Sequence, residues 1–207
     1  FGQMKFSDAE LVELIGRLER REARIPPMIR HVLDGELVLA DVMLRQLRTG
    51  QAVPAPGYPE FIRSGLADFP LRALFRLNRA DFHMRMAMLL AICERPYYEI
   101  RPVLAEITDV PRNLSTLFTQ QYFAAWDRGL SAFAESIASL RCVRTGLAAE
   151  LYRRKYGRRP DRIADLVPEF LPEIPLDPFN GEPLRIATSE LVRFRPDYRI
   201  DGPNGEE

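Results

Sequence analysis

The chain has 207 residues, enough for one ordinary domain or one domain with a small appendage. Its 46% hydrophobic and 10% aromatic content can build a packed core, which excludes a globally disordered polymer. With 29 basic and 29 acidic residues it carries no formal charge, which speaks against a general binder of nucleic acid or anionic membrane.

Helical signals fill the first three quarters. "SDAELVELIGRLERRE" opens with a capping box, Ser7 followed three residues later by Glu10. Its Leu11, Leu14, Ile15 and Leu18 recur at i, i+3, i+4 and i+7. Pro26-Pro27 ends that element, and Pro27 suits the first position of a second helix. That helix carries Ile29, Val32, Leu33, Leu37, Ala40, Leu44 and Leu47 on one side and closes at Gly50. "TGQAVPAPGYPEF" reads as a Pro/Gly linker, and the apolar residues near it, Tyr58, Phe61 and Ile62, form a candidate contact patch. A short helix over Leu71 to Leu77 is expected next, then a separate one capped by Asn78 or Asp81 and stopped before Pro96. "YYEIRPVLAEI" predicts another short helix, and Thr108 to Ser115 a turn region.

From about Thr119 to Tyr156 there is no proline. Trp126, Leu130, Phe133, Ile137, Leu140, Leu147 and Leu151 follow steps of 4 and 3, with Arg144 interrupting the row. This predicts one long helix whose seam packs against other helices. Gly129 and Gly146 cost stability inside a helix and so suggest a bend or a close helix contact. Gly157 supplies a C-cap after the basic turn Arg153-Arg154-Lys155. "DRIADLVP" then gives a short helix stopped by Pro168.

The stretch "LVPEFLPEIPLDPFNGEPLRI" cannot be helical, because Pro172, Pro175, Pro178 and Pro183 fix φ and withdraw backbone donors. It is nevertheless apolar, and Leu171, Ile174, Leu176, Phe179, Leu184 and Ile186 can cover the long helix without regular structure. Phe179 is expected to be buried against that helix. Asn180-Gly181 offers a tight turn with φ > 0, which would let "PLRIA" and "LVRFRPDYRI" pair as a hairpin. The expected fold is therefore mainly α: a single domain over 1–207, an irregular helical bundle over 1–156, and a Pro-rich cap with a small β-hairpin over 157–207.

The run "LYRRKYGRRPDRIADL", "LPEIPLDPFNGEPLRI" and "DYRIDGPNGEE" resembles the tails of uncharacterised bacterial exported proteins and, more distantly, the C-terminal part of type II secretion major pseudopilins. The matching positions include Gly157, Pro160, Leu171, Pro172, Pro175, Asp177, Pro178, Phe179 and Gly181. The likeness covers about sixty residues, and the long helical part before them has no counterpart in pseudopilins. It implies an extracytoplasmic setting, periplasmic, envelope or secreted. Many pseudopilins bind calcium near their "DG" end. Here Asp197 and Asp201 are the only aspartates after Asp177, few for an ion wanting about 6–8 oxygens, so no cofactor is expected.

Candidate chemistry is sparse. His31 and His83 are the only histidines and neither has HExxH or triad-like spacing, so a partly buried, hydrogen-bonded histidine is the readier reading of each. Cys93 and Cys142 form no CxxC pattern and read as small buried hydrophobes, with a disulfide left open. No stretch approaches about 18 uninterrupted apolar residues, so no transmembrane segment is expected within the chain, and its start at Phe1 leaves room for an upstream anchor. The sequence points to a non-enzymatic structural or interaction module of a bacterial exported or envelope protein, linked to a secretion or pilus-like assembly, with a protein partner or self-association. Two alternatives stand beside it: a hydrolase-type enzyme whose carboxylates and arginines converge only in three dimensions, and nucleic-acid binding through the basic run Arg153 to Arg162.

Overall fold

The structure, a computed structural model, describes residues 6–49, 69–111, 113 and 116–186. Among them the chain forms five α-helices: α1 (Asp8–Glu22), α2 (Ile25–Thr49), α3 (Phe69–Ile92), α4 (Tyr97–Thr108) and α5 (Leu117–Tyr156). A single 3-10 turn, Ile163–Leu166, follows, and then an irregular cap. The mainly α bundle expected from the sequence is the fold found. Tyr58, Phe61 and Ile62, the second arm of the expected hairpin, and Asp197 and Asp201 lie outside the described residues.

Local chemistry sets the ends of these helices. The Ser7 hydroxyl accepts from the Glu10 amide at 3.3 Å, and Glu10 returns a carboxylate oxygen to the Ser7 amide at 2.7 Å, so two orphan donors of α1 are satisfied reciprocally. Only two residues separate α1 from α2, and Pro26 and Pro27 lie in the first turn of α2, where a missing N–H costs nothing. Gly157 adopts φ 72° and donates its amide to the Arg153 carbonyl at 2.9 Å, closing α5 as a left-handed cap.

Helix α5 organises the rest. At 40 residues it is about 60 Å long by helix geometry, and two apolar clusters form along it. On its first half, Phe123 and Leu130 pack with Leu33, Phe82, Met86, Leu89 and Leu104 from α2, α3 and α4. Phe82 meets Tyr122 edge-on with ring centres 4.9 Å apart. On its second half, Ala148, Leu151 and Tyr152 pack with Leu11 and Ile15 of α1 and with Leu166 and Leu171. The seam read from the sequence is thus the side of α5 that holds both cores.

Two expectations fail here. Helix α3 is continuous through Asn78, where two helices with a cap between them had been expected. Asn78 is buried, and its side-chain oxygen accepts from the Thr119 amide at 3.2 Å and the Thr119 hydroxyl at 2.9 Å. The residue does cap a helix, but that helix is α5, whose own Thr116 makes no side-chain cap bond. A polar residue inside an apolar pattern looks the same whether it caps its own helix or a neighbour's.

Gly129 and Gly146 also do not mark close helix contacts. A Cβ built on Gly146 meets nothing within 4 Å, and one on Gly129 meets only Trp126 at 3.9 Å. Gly146 is exposed in the middle of α5, so its main effect is on the unfolded chain. We expect Gly146→Ala to stabilise the fold by about 0.5–1 kcal/mol. Denaturant melts check it, and an unchanged or lower midpoint would show that Gly146 has a packing role.

Candidate functional site

Arg144, the residue that breaks the apolar row of α5, does not turn to solvent. It is 5% exposed, sunk into the seam between the two clusters. Opposite stands Glu22, at the end of α1. Arg141 donates from Nε to Glu22 Oε1 at 2.7 Å, and Arg144 Nη1 lies 3.3 Å from Glu22 Oε2 and 4.0 Å from Glu19. The 3.3 Å approach is a charge contact whose geometry is not that of a hydrogen bond. Glu22 Oε2 and Arg144 Nε, both buried, therefore have no hydrogen-bond partner among the described residues. Buried polar atoms are nearly always paired, so two orphans side by side mark this position as unusual.

Arg141 also donates from Nη1 to the Leu176 carbonyl at 2.5 Å, so the same cluster holds the Pro-rich cap. A cavity of about 290 Å³ opens beside it. Ile29, Ile100, Leu130, Phe133 and Ile137 give it apolar walls, and Glu22, Arg141 and Arg144 its polar end. Cys93 also lines it, buried, with burial pushing its thiol up and away from the reactive thiolate. The arrangement suits holding a polar group in place. No histidine lines the cavity among the described residues.

The break at Arg144 is visible in the sequence, but its partner is not. The signal was available, since a cation inside a row of Leu, Ile and Phe must either interrupt the packing or be paired. Glu22 and Arg141 carry no signal, because acidic and basic residues on helices ordinarily face water.

The tail positions singled out in the sequence divide between two helices: Gly157 and Leu171 lie on α5, whereas Pro178, Phe179 and Gly181 gather on α4. Leu171 is buried against the second cluster, and Pro160, Pro175 and Pro178 are buried. The Pro178 carbonyl accepts the Tyr98 amide at 3.0 Å, occupying an orphan donor in the first turn of α4. Phe179 is half-buried and packs edge-on against Tyr97 with ring centres 5.4 Å apart, so its expected burial against the long helix is corrected. Gly181 takes φ 74°, and a Cβ there would come within 3.0 Å of the Tyr98 ring, so both backbone and packing call for glycine. Asp177 accepts the Phe179 amide at 2.8 Å, and a single antiparallel bridge joins Leu176 to Pro183. The turn at Asn180-Gly181 therefore forms, but it pairs Pro183 and Leu184 of the first expected arm with Leu176 and Pro175, which lie before the turn. Pro172 is exposed.

Other candidates resolve as follows. His83 is half-buried, with Nε2 3.3 Å from Asp41, a partner supplied by α2. His31 is exposed, against the expectation of partial burial. Asp41 is pushed up by burial, but hydrogen bonds from His83 and Arg45 and the charges of Arg79 and Arg45 outweigh this and hold it below the usual carboxylate range. No disulfide joins the cysteines, and Cys142 is exposed, so only Cys93 is the buried hydrophobe expected of both. The basic run is laced with acids: Arg153 and Arg154 bind Glu150, Arg154 also Asp8, Lys155 binds Glu169, Arg158 binds Asp161 and Arg162 approaches Asp165. No group of three or more His, Cys, Asp or Glu placed to hold a metal occurs among the described residues. None of the described helices is long and apolar enough to cross a membrane.

Compared with protein-family models, with curated proteins and with solved structures, the chain shows no match.

Two outcomes follow. Glu22→Leu takes the counter-charge from buried Arg144 and from Arg141 and should cost about 3–5 kcal/mol, whereas Arg144→Met leaves Glu22 paired with Arg141 and should cost less. The double variant should cost far less than their sum, as read in a double-mutant cycle. Additive losses would mean that the two side chains act independently. The second outcome concerns pH. Hydrogen bonds from Arg153 and Arg154 draw the Glu150 carboxyl from 4.5 to about 2. A depressed carboxyl contributes stability above its unfolded value, lost as pH falls through the folded one. Wild type should thus exceed Glu150→Gln above pH 4.5, with the difference fading toward pH 2. The surface pair contributes about 1 kcal/mol or less. A gap between the two melting curves that persists at pH 2 would refute the assignment.

Proposed function

We propose that this chain is a non-enzymatic structural or protein-interaction module of a bacterial exported or envelope protein, of the kind that belongs to a secretion or pilus-like assembly. The observation that carries the interaction reading is an apolar face left in water. Helix α2 exposes Met28, Val32, Val38, Leu39, Val42 and Met43, and its neighbour α3 exposes Met84 and Met88. Apolar side chains grouped on adjacent helices, four of them methionines, favour contact with another protein surface, since methionine adapts its shape to a partner. The extracytoplasmic setting rests on the likeness of the tail to exported proteins.

Val38 and Val42 are 64% and 44% exposed, so Val38→Glu/Val42→Glu should leave the fold intact. The expected outcome is that wild type self-associates in sedimentation, or retains one stoichiometric protein from envelope extract that rebinds after purification, and that the double variant loses this. A wild type that stays monomeric and retains nothing, or a saturable turnover in a substrate screen, would overturn the proposal. Fractionation of cells making the natural protein tests the compartment, and recovery wholly in the cytosol would contradict it.

A further inference from the structure

We infer that the cavity beside Arg144 is a binding site for a small neutral amide attached to an apolar body. This goes beyond the interaction reading, which concerns the outer face of α2 and α3.

The polar end of the cavity requires a head group with two faces. Arg144 Nε–H needs an acceptor and Glu22 Oε2 needs a donor, and neither has one among the described residues. A carbonyl and an N–H on one planar group meet both needs at once. The charge of the lining decides between neutral and ionised heads. Glu19, Glu94 and Glu173 line the cavity with Glu22, and Arg95 lines it with Arg141 and Arg144. At the polar end a carboxylate would meet the unpartnered Glu22 Oε2, and an ammonium would meet the guanidiniums of Arg141 and Arg144. A neutral head avoids both penalties. The protein itself shows the preference, since Arg141 already binds the main-chain carbonyl of Leu176.

Size fixes the body. A cavity of about 150 Å³ holds a benzene-sized molecule, so the 290 Å³ here accommodates about a dozen non-hydrogen atoms. Ile29, Ile100, Leu130, Phe133 and Ile137 offer that body an aliphatic and aromatic wall. Exposed Glu19, Glu94 and Glu173 place one side of the cavity at the surface, so a ligand can enter.

The same chemistry is found in a free amide and in a residue of an extended peptide, and the probes separate them. Wild-type protein is titrated by calorimetry or NMR with N-acetyl-leucinamide, with its carboxylate counterpart N-acetyl-leucine, with leucinamide as the cation, and with a blocked Ala-Leu-Ala peptide. N-acetyl-leucinamide should bind saturably with a Kd in the low millimolar range or tighter. The two ionised probes should bind about tenfold more weakly or worse. If the blocked peptide binds as well as the amide, the source is an extended chain; if only the amide binds, it is a free small molecule. Arg144→Lys keeps the charge but removes Nε–H, and Ala134→Met fills the cavity from α5, where Ala134 lines it. Either folded variant should lose binding. The absence of saturable binding to wild type, equal affinity for the three head groups, or binding unchanged in a folded variant would each overturn the inference. The head-group comparison needs wild type alone, so a variant that fails to fold does not spare it.

Discussion

The structure depends on a charge that must be buried. Helix α5 is the only described element that touches both apolar clusters, and at the joint between them it presents Arg144 instead of another Leu or Ile. A guanidinium in that position cannot be left alone, because an unpaired buried cation costs far more than the packing it displaces. Glu22 answers it, and with Glu22 comes the last turn of α1. The helix that begins the described chain is thereby pinned at a fixed depth along the longest one. Apolar contacts alone would hold it less selectively, since Leu11 and Ile15 could slide along a uniformly apolar seam. Arg141, one turn earlier, extends the arrangement to the Leu176 carbonyl. One polar cluster therefore sets the positions of α1, α5 and the cap together.

Other polar groups follow the same pattern of closing an element from a distance. Asn78 of α3 receives the first-turn amide of Thr119 in α5. Arg85 of α3 donates to the Ile107 carbonyl at 2.6 Å, satisfying the open end of α4. The Pro178 carbonyl receives the Tyr98 amide at the other end of α4. Tyr122 of α5 donates to Glu36 of α2 at 2.5 Å, and burial together with that acceptor pushes its hydroxyl further from ionisation. Helix ends that expose orphan donors and acceptors are thus completed by neighbours. Short helices with little intrinsic stability, α4 above all, persist because others finish them.

What was legible in the sequence was local. The Ser7–Glu10 box, the Gly157 cap, the proline-free run of α5 and the positive φ at Gly181 are consequences of residues acting within a few positions of themselves. What was not legible was where a polar residue's partner comes from. The local pattern makes Asn78 a cap for its own helix and Arg144 an interruption, and although it makes His83 a partly buried, hydrogen-bonded residue, as found, it does not name the partner. Each is completed by a residue on another helix: Thr119, Glu22 and Asp41. The Pro-rich cap was rightly seen as packed and wrongly aimed for Phe179, because an extended segment has no period to say which neighbour its side chains face.

The second cluster joins the beginning of the described chain to its end, since Leu11 and Ile15 are covered by Ala148, Leu151, Leu166 and Leu171. Of the described elements, the residues that cover α1 here are therefore made last. The first cluster draws on α2, α3, α4 and α5 and needs none of them. Among the described helices the sequence separation of these contacts is thus longest for α1, and contacts of long separation carry the largest loop-closure cost. A product ending before Ala148 would leave the apolar stripe of α1 without the cover it has here, and exposed apolar surface of that kind is prone to aggregation.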